Sequence, residues 1–453
     1  MLFTISAPNR LQPLNGNKHI LILLLSLFLL PSCAFLQDLF GEPEPEKPPV
    51  VIDKHPEEKE DTLVIDEPQE KEDHIKDKKD EQKGKWAKRD VYRISYILPF
   101  HLDRTELENL MSQDNITGMQ SLASLEFYEG SLMALDTLQE MGLNLEVSLF
   151  DDLRDVGRLE DILDQYEMIQ SDVVIGPLFN SSLEVASEWA KANEKFIVSP
   201  LSPSSSAAKE NPWFLMANST LGTQLQTLLL SWTKQSVNYR IIIASKGETG
   251  TDSLIKAEVI KAWDALKVDG YKPQLAFANS AEAVQNSMIQ GRDNFVFLAS
   301  TDELFVNGMM RQLSLFTKNY DLEVGGLSPV LDMESLSLDY FENLHFQYPS
   351  AYWVNPLSPK LENFINDFGK RYNSNPTDYA MRGYDLTLYV GYLLLQNGPF
   401  LPEGFSRPRP TRKMLYEFKF GPSLTSDGAT DFYENKNVYI LRFDNYRFEQ
   451  VRE

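Results

Sequence analysis

The sequence has few of the residues that hold metal ions or form disulfides. It contains 453 residues but only one cysteine, Cys33, and five histidines. Without a second cysteine the chain cannot form an internal disulfide, so burial alone must stabilise the folded part even in an oxidising compartment. The histidines are dispersed, and they predict neither a histidine-rich zinc site nor a serine triad; they are His19, His55, His74, His101 and His345. We expect no metal ion and no cofactor.

Other signatures of chemistry are also missing. There is no Gly-x-Ser-x-Gly motif, and the glycine-bounded segment 247–250 lacks the lysine of a phosphate-binding loop. Asp151 and Asp152 are neighbours at the end of a predicted strand, so their side chains point to opposite faces and do not share a site. Basic residues are scarce, with 43 against 66 acidic ones and a net charge of −23, which repels nucleic acids. We therefore expect neither an enzyme nor a nucleic-acid-binding protein.

The N-terminus is typical of an export signal. Arg10 and Lys18 precede an apolar run, residues 20–30, that is too short to span a bilayer comfortably. Residues 30–33, Leu-Pro-Ser-Cys, resemble the lipobox of bacterial lipoprotein precursors, although the proline departs from the commonest pattern. The resemblance implies that residues 1–32 are a signal peptide and that Cys33 is acylated and attached to a lipid bilayer. The alternative is a chance cysteine at the end of an uncleaved signal anchor.

The residue after the cysteine bears on the location of the protein. In lipoproteins of this kind an aspartate at that position favours the inner membrane, and here Ala34 follows Cys33. The resemblance therefore implies the cell envelope, at the outer membrane facing the periplasm. Residues 33–89 form the next predicted segment, which is rich in proline, glutamate, lysine and aspartate from Asp38 onward. That composition predicts a disordered tether with a reach of roughly 40 Å, or simply a solubilising spacer.

The predicted folded part covers residues 90–453. Strand-like runs, such as residues 92–100, 240–244 and 295–299, alternate with helical patterns in the manner of parallel sheets. A loop rich in serine and proline separates two such series. We therefore predict an α/β fold with two Rossmann-like lobes, each with its own parallel sheet. No internal sequence repeat stands out.

Several segments carry a family resemblance. Residues 173–178, Val-Val-Ile-Gly-Pro-Leu, and residues 197–200, Ile-Val-Ser-Pro, resemble the strands and turns that lead into two ligand loops. The spacing of aromatic residues from Phe364 to Tyr379, followed by Gly-Tyr-Asp at 383–385, is similar to a pair of C-terminal helices. These features resemble the type I periplasmic binding proteins, the family of the branched-chain amino acid receptors of ABC transporters.

The resemblance implies a Venus flytrap architecture in which the chain crosses between the lobes three times. Lobe one is expected to combine about 91–218 with 352–417, and lobe two about 219–351 with 418–453. Ser181 and Glu184 have the spacing of a capping box, which would leave backbone N–H groups at a helix start able to bind a carboxylate. The implied ligand-binding residues are Ser181, Ser182, Ser202, Ser204 and Ser205 in lobe one, with Thr301 and Asp302 in lobe two. Ordinary helix caps and loop serines are the alternative interpretation.

Two functions remain open from the sequence. The first is a membrane-anchored periplasmic lipoprotein that captures a small polar ligand, such as an amino acid, a peptide or a muropeptide. Segments 299–301 and 327–329 lack the aromatic and acidic residues with which amino acid receptors hold an ammonium group, so an ordinary amino acid is not favoured. The second is an interaction or regulatory lipoprotein of the outer membrane, with an envelope complex or a peptidoglycan-synthesis protein as partner.

Overall fold

The computed structural model describes residues 86–102, 116–247, 250–268, 272–407 and 413–451, and these residues form two α/β lobes. Cys33, the predicted signal peptide and the predicted tether up to residue 85 lie outside the described residues. Within those ranges, no helix combines the length and the apolar character that a bilayer crossing requires.

Fourteen strands and eleven α-helices make up the described part of the chain. The strands are β1 (Tyr92–Ile97), β2 (Leu145–Phe150), β3 (Val173–Ile175), β4 (Phe196–Ser199), β5 (Phe214–Met216), β6 (Tyr239–Ala244), β7 (Ala276–Ala278), β8 (Asp293–Leu298), β9 (Asp321–Gly325), β10 (Gln347–Ser350), β11 (Phe420–Leu424), β12 (Thr430–Asn435), β13 (Tyr439–Asp444) and β14 (Arg447–Gln450). The α-helices are α1 (Ile116–Glu140), α2 (Val156–Leu163), α3 (Tyr166–Gln170), α4 (Asn180–Asn193), α5 (Leu221–Gln235), α6 (Gly250–Ala265), α7 (Ala281–Ser287), α8 (Glu303–Phe316), α9 (Leu338–Asn343), α10 (Pro359–Tyr372) and α11 (Asp378–Asn397). Two short 3₁₀ turns cover Ser328–Asp332 and Leu401–Gly404.

Each lobe is built on a seven-stranded sheet. The order in lobe one is β11-β12-β5-β4-β3-β1-β2, and the order in lobe two is β14-β13-β10-β9-β8-β6-β7. The five strands from β1 to β5 are parallel, as are β6 to β10, while β11, β13 and β14 run antiparallel to their neighbours. The predicted α/β fold with two lobes and parallel sheets is confirmed.

The sheet of lobe one lies between two apolar layers. Alternation of side chains along β1 places Ile94 and Tyr96 in the layer formed with α1 and α11, and Ile97 in the layer formed with α2 and α4. Helices α1 and α11 pack closely because Gly383 has no side chain. A Cβ atom at Gly383 would lie 1.9 Å from the Phe127 carbonyl oxygen.

The chain crosses between the lobes three times, and the third crossing corrects the predicted boundary. The first two crossings follow β5 and β10, near the predicted positions 218 and 352. We predicted the third near 417, but β12 pairs in parallel with β5 and β11 pairs with β12, so both belong to lobe one. The chain enters lobe two only between Asn435 and Tyr439. The hydrogen bonds that add β11 and β12 to the sheet decide this boundary, not their local sequence.

The crossings also orient the lobes. Because β5 and β10 both end at a crossing, the carboxyl ends of the parallel strands in each lobe point toward the gap between the lobes. At the second crossing, the Tyr352 hydroxyl donates to the Pro200 carbonyl oxygen in lobe one at 2.9 Å. We call the loops that follow the parallel strands the cleft edge of each lobe. The loops that precede those strands form the rear edge.

Candidate ligand-binding cleft

Helix α4 starts at the cleft edge of lobe one, and its start differs from the prediction. The residue before the helix is Phe179, with φ −117° and ψ 152°, and no side chain caps the first turn. Ser181 is the second residue of the helix, so the predicted capping box with Glu184 is wrong. The physical reason is the burial of Phe179 in the core of lobe one, which places the start of the helix directly after that residue.

The two serines of this first turn have different environments. Ser181 is exposed, whereas Ser182 is 1% exposed, and its hydroxyl makes no hydrogen bond of normal geometry with the part of the chain that the structure describes. Ser182 lies beside the buried side chain of Asp152. Burial raises the pKa of Asp152, and the Ser182 hydroxyl and the backbone N–H of Arg154 partly offset that rise. This corner of the cleft edge therefore contains polar groups with unused hydrogen-bonding capacity.

The serines of the loop after β4 are largely engaged with one another. Ser202 accepts a hydrogen bond from the Ser204 backbone N–H at 3.1 Å, and the hydroxyls of Ser204 and Ser206 are 3.0 Å apart. The Ser205 carbonyl accepts from the Ala208 N–H at 3.2 Å. Ser204 and Ser205 remain partly exposed. Since β3 and β4 are neighbours, this loop lies beside the start of α4, and their predicted ligand-binding role stays a prediction.

Sequence reasoning missed Arg154, which follows β2 at the same edge. Its guanidinium carbon lies 5.1 Å from the centre of the Phe179 ring, and one N–H donates to the Gln120 side-chain oxygen at 2.8 Å. The Nε atom is buried without a hydrogen-bond partner, and no ion pair in the described part of the chain involves Arg154. The available signal was a basic residue directly after the acidic end of a strand.

Asp151 fixes the backbone on which Arg154 stands. Its carboxylate accepts hydrogen bonds from the backbone N–H groups of Phe100, Leu102 and Leu153 at 2.9, 3.0 and 3.1 Å. These bonds join the loop after β1 to the loop after β2. The carboxylate is therefore occupied by structural hydrogen bonds and is not a candidate acid or base.

In lobe two, Thr301 and Asp302 lie at the cleft edge but are already engaged. Asp302 is the N-cap of α8 and accepts from the Phe305 N–H at 2.8 Å. It also pairs with Lys246, whose ammonium group lowers the pKa of Asp302. The Thr301 N–H donates to Asp252 at 3.3 Å. The alternative interpretation of Asp302 as a helix cap is therefore confirmed, while a role in ligand binding is untested.

A second group missed by sequence reasoning is Asp332, at the end of the 3₁₀ turn after β9. Its carboxyl is half-buried, and burial raises its pKa to about 7. Within the described residues it forms no hydrogen bond or ion pair. Asp332 and Asp378, the first residue of α11 in lobe one, both act on the pKa of Tyr348. The two lobes therefore approach each other near these carboxyl groups.

The described residues offer neither a second cavity at the cleft edge nor a cluster of metal ligands there. A cavity of about 330 Å³ opens between Asp293, Tyr320, Glu323 and His345. It lies at the start of β8 and β9, on the rear edge of lobe two, and so takes no part in the candidate site. Across the described ranges, no three histidine, cysteine, aspartate or glutamate side chains are grouped so that they could hold a metal ion.

Solved structures share this architecture. No protein-family model matches the sequence, and no curated protein matches it. A branched-chain amino acid ABC transporter protein from Rhodospirillum rubrum aligns with a TM-score of 0.54 and 15% identity, covering 80% of this chain and 100% of its own. A branched-chain amino acid ABC transporter periplasmic ligand-binding protein from Burkholderia xenovorans aligns with a TM-score of 0.53 and 10% identity, covering 80% and 94%. The chain therefore has the fold of the type I periplasmic binding proteins.

Proposed function

We propose that this protein is a lipid-anchored receptor of the cell envelope that captures a small polar ligand bearing an acidic group between its lobes. One observation carries the proposal: an arginine that pairs with no acidic side chain among the described residues stands beside the start of α4, which none of those residues caps with a side chain. The guanidinium of Arg154 packs on the ring of Phe179, the residue from which α4 begins. Both features favour an anion at the same place.

The acidic character of the chain makes the lack of an ion pair at Arg154 in the described residues informative. The chain carries 23 more acidic than basic residues, so a cation here has many possible carboxylate partners. Arg154 nevertheless pairs with none in the described residues, and Gln120 occupies only one of its donors. A guanidinium has five N–H donors in a planar fork that matches a carboxylate or another oxyanion. Arg154 is therefore oriented but left available, as expected of a binding group.

Lobe two is expected to contact the ligand when the two lobes close on it. Thr301, Asp302 and the half-buried Asp332 of lobe two lie at the edge that faces lobe one. A ligand that contacts both edges stabilises the closed arrangement, because it binds that arrangement more tightly than the open one. The Burkholderia xenovorans neighbour is described as a periplasmic ligand-binding protein, which supports ligand capture as a use of this fold. At 10% identity it carries no ligand over to this chain.

A thermal-shift screen against amino acids, peptides and muropeptides tests ligand capture. A ligand at 100 times its Kd stabilises the native state by about 2.7 kcal/mol, which raises the melting temperature measurably. Arg154→Gln is expected to abolish the shift caused by acidic ligands. The matched control is Arg311→Gln on α8, where the arginine is exposed and far from the cleft edge. The proposal fails if no ligand shifts the melting temperature, or if both variants respond equally.

The lipid anchor is a separate part of the proposal. It is supported by the lipobox-like residues 30–33 and by the presence of a single cysteine, Cys33. Metabolic labelling with a palmitate analogue is expected to mark the natural chain and not Cys33→Ser. Fractionation of the two membranes then tests the outer-membrane assignment. Label on Cys33→Ser would contradict acylation at this site.

A second function, binding to a protein of the envelope, is favoured by one specific observation. Three leucines next to the gap between the lobes are largely exposed: Leu102 at 67%, Leu304 at 85% and Leu357 at 80%. Exposed apolar side chains mark a surface that contacts other proteins when they form one contiguous patch. A screen without any thermal shift, together with co-purification of a peptidoglycan-synthesis protein that is lost in Leu304→Ser, would favour this function over ligand capture.

A further inference from the structure

The first described residue, Trp86, fills an aromatic box on lobe one. Its ring stacks on Trp213 with the centroids 5.3 Å apart and the planes at 19°. Phe400 and Phe196 complete the box at 5.5 and 6.1 Å from Trp86. Aromatic pairs at these distances contribute beyond the apolar area that they bury. Trp86 therefore packs against the core of lobe one, although its position lies within the predicted tether.

The residues that follow Trp86 continue this attachment. We call residues 86–91 the rear strap. The Lys88 ammonium donates to the Leu395 carbonyl oxygen at 3.2 Å, and the Arg89 guanidinium pairs with the buried carboxylate of Asp172. The Asn144 side chain donates to the Asp90 carbonyl oxygen at 3.1 Å. Successive residues of the strap are thus held by different parts of lobe one.

A glycine makes room for the strap. Gly398 has φ +82°, and a Cβ atom at this position would lie 3.0 Å from the Trp86 carbonyl oxygen. A larger residue would be strained by its backbone angle and would also crowd the strap. The close approach of the two backbones is therefore part of how this region folds.

All the main partners of the strap lie on one side of lobe one. Asn144, Asp172 and Trp213 directly precede β2, β3 and β5, and Phe196 is the first residue of β4. The strap therefore crosses the rear edge of the sheet, opposite the cleft edge.

We propose that the rear strap latches the end of the tether to the rear edge of lobe one, so that the lipid anchor holds the molecule by that lobe. The rear of lobe one then faces the membrane, the cleft edge of lobe one faces away from it, and lobe two is the lobe that moves. This inference rests on the proposed anchor at Cys33. The composition of residues 34–85 predicts a flexible coil with a mean reach of roughly 40 Å. The point at which such a coil is latched would decide which pole of the molecule stays nearer to the lipid.

Limited proteolysis of the full chain tests the latch itself. In the natural protein the bond after Lys88 is expected to resist trypsin, because the strap is packed. Trp86→Ala is expected to speed cleavage there by about tenfold or more, since cleavage follows the population of the open form. Trp86→Phe should restore most of the protection. Tyr166→Ala, which removes an exposed ring elsewhere on lobe one, is the control and should leave cleavage unchanged. Equal rates in the natural chain and Trp86→Ala would overturn the latch.

Energy transfer to labelled lipid tests the orientation. With Cys33 acylated, one introduced cysteine is the only thiol, so a dye can be placed at Lys191→Cys, near the rear of lobe one, or at Lys318→Cys, near the rear of lobe two. The acylated full chain is reconstituted in vesicles of phosphatidylethanolamine and phosphatidylglycerol. Transfer is expected to be about twofold higher from position 191, and Trp86→Ala should reduce this difference.

Two outcomes would contradict the proposal in different ways. Equal transfer from both positions in a vesicle-bound chain contradicts the orientation alone. A chain that does not bind vesicles contradicts the anchor and the orientation together.

Discussion

The two edges of the sheet in lobe one differ in how fully their polar groups are used. At the rear edge, the buried Asp172 carboxylate accepts from the Arg93 backbone N–H at 2.8 Å and pairs with Arg89, while Lys195 donates to the Ser171 carbonyl at 2.9 Å. At the cleft edge, the described residues offer Arg154 no counter-ion and offer the Ser182 hydroxyl no hydrogen bond of normal geometry. Both edges belong to the same sheet, so the fold does not explain why their polar groups are hydrogen-bonded to different extents.

The difference between the edges suggests a division of roles, in which the rear edge stabilises the fold and the cleft edge binds ligand. Unsatisfied polar groups cost stability, and proteins retain them mainly where function needs them. The rear edge is therefore expected to contribute to the free energy of unfolding. The cleft edge is expected to contribute little to it and to respond to ligand. The following predictions concern first the buried helices that support both edges, then the rear edge, and last the cleft edge.

The largest expected loss of stability concerns helices α1 and α11, which pack on the sheet that carries both edges. In Gly383→Ala, the new Cβ atom would meet the Phe127 carbonyl oxygen at 1.9 Å, so α1 and α11 must separate. We expect a loss of about 4 kcal/mol or more in the free energy of unfolding, measured with denaturant. The control is Gly308→Ala in α8, where a Cβ has no neighbour within 4 Å. It should gain about 0.5–1 kcal/mol, and similar losses in both variants would refute the packing argument.

A buried carboxyl should make stability depend on pH. Asp385 is fully buried in α11 and accepts from the Leu415 N–H at 2.9 Å, yet burial raises its pKa to about 7. Because the folded-state pKa is above the unfolded value, the folded state holds the proton more tightly. This contribution is full below about pH 4 and is lost as pH rises to about 7, by up to about 4 kcal/mol.

The measurement for Asp385 is the difference in unfolding free energy between the natural chain and Asp385→Asn, at pH 4.5 and pH 8. The amide keeps one acceptor but does not titrate, so the natural chain should lose stability relative to the variant at the higher pH. A difference that is the same at both pH values would show that this carboxyl does not titrate in that range.

The rear edge should show an intermediate effect. Asp172 is 5% exposed, and Asp172→Ala leaves the Arg93 backbone N–H without its acceptor. We expect a loss of about 2 kcal/mol in the free energy of unfolding. The control is Glu146→Ala, which removes an exposed partner of Arg93 on β2 and should change stability by less than about 1 kcal/mol. Equal losses in Asp172→Ala and Glu146→Ala would contradict the idea that the rear edge stabilises the fold more than other polar surface does.

The smallest effect is expected at the cleft edge. Arg154→Gln removes a charge that no carboxylate of the described ranges pairs with, so the free energy of unfolding should stay within about 0.5 kcal/mol of the natural value. Its consequence should be confined to the ligand-dependent thermal shift. A loss above about 2 kcal/mol by chemical denaturation would mean that Arg154 is structural, and the division between the two edges would no longer hold.

Local patterns predicted much of the architecture and little of the site. Strands β3 and β4 are short apolar runs that are closely followed by a proline, Pro177 and Pro200, and sequence reasoning recognises such runs directly. Strand β7 has only three residues, too few to show a period, and was not predicted. Ser181 was expected to cap α4, but the burial of Phe179 sets the start of that helix. Arg154 was overlooked because what distinguishes it is the lack of a counter-ion among the described residues, and the spacing of residues in the sequence does not show which charges pair.

The sequence alone determined the class of this protein: two α/β lobes, in the order in which their strands and helices alternate. That is possible because the apolar period of a strand or helix is a local property of a few consecutive residues. Only the tertiary structure decided where the chain crosses for the third time, which charges at the cleft edge keep unused donors, and where the rear strap is held. These features depend on contacts between residues far apart in the chain, such as the Thr220 backbone N–H and the Glu434 carboxylate, which are 2.7 Å apart across 214 positions.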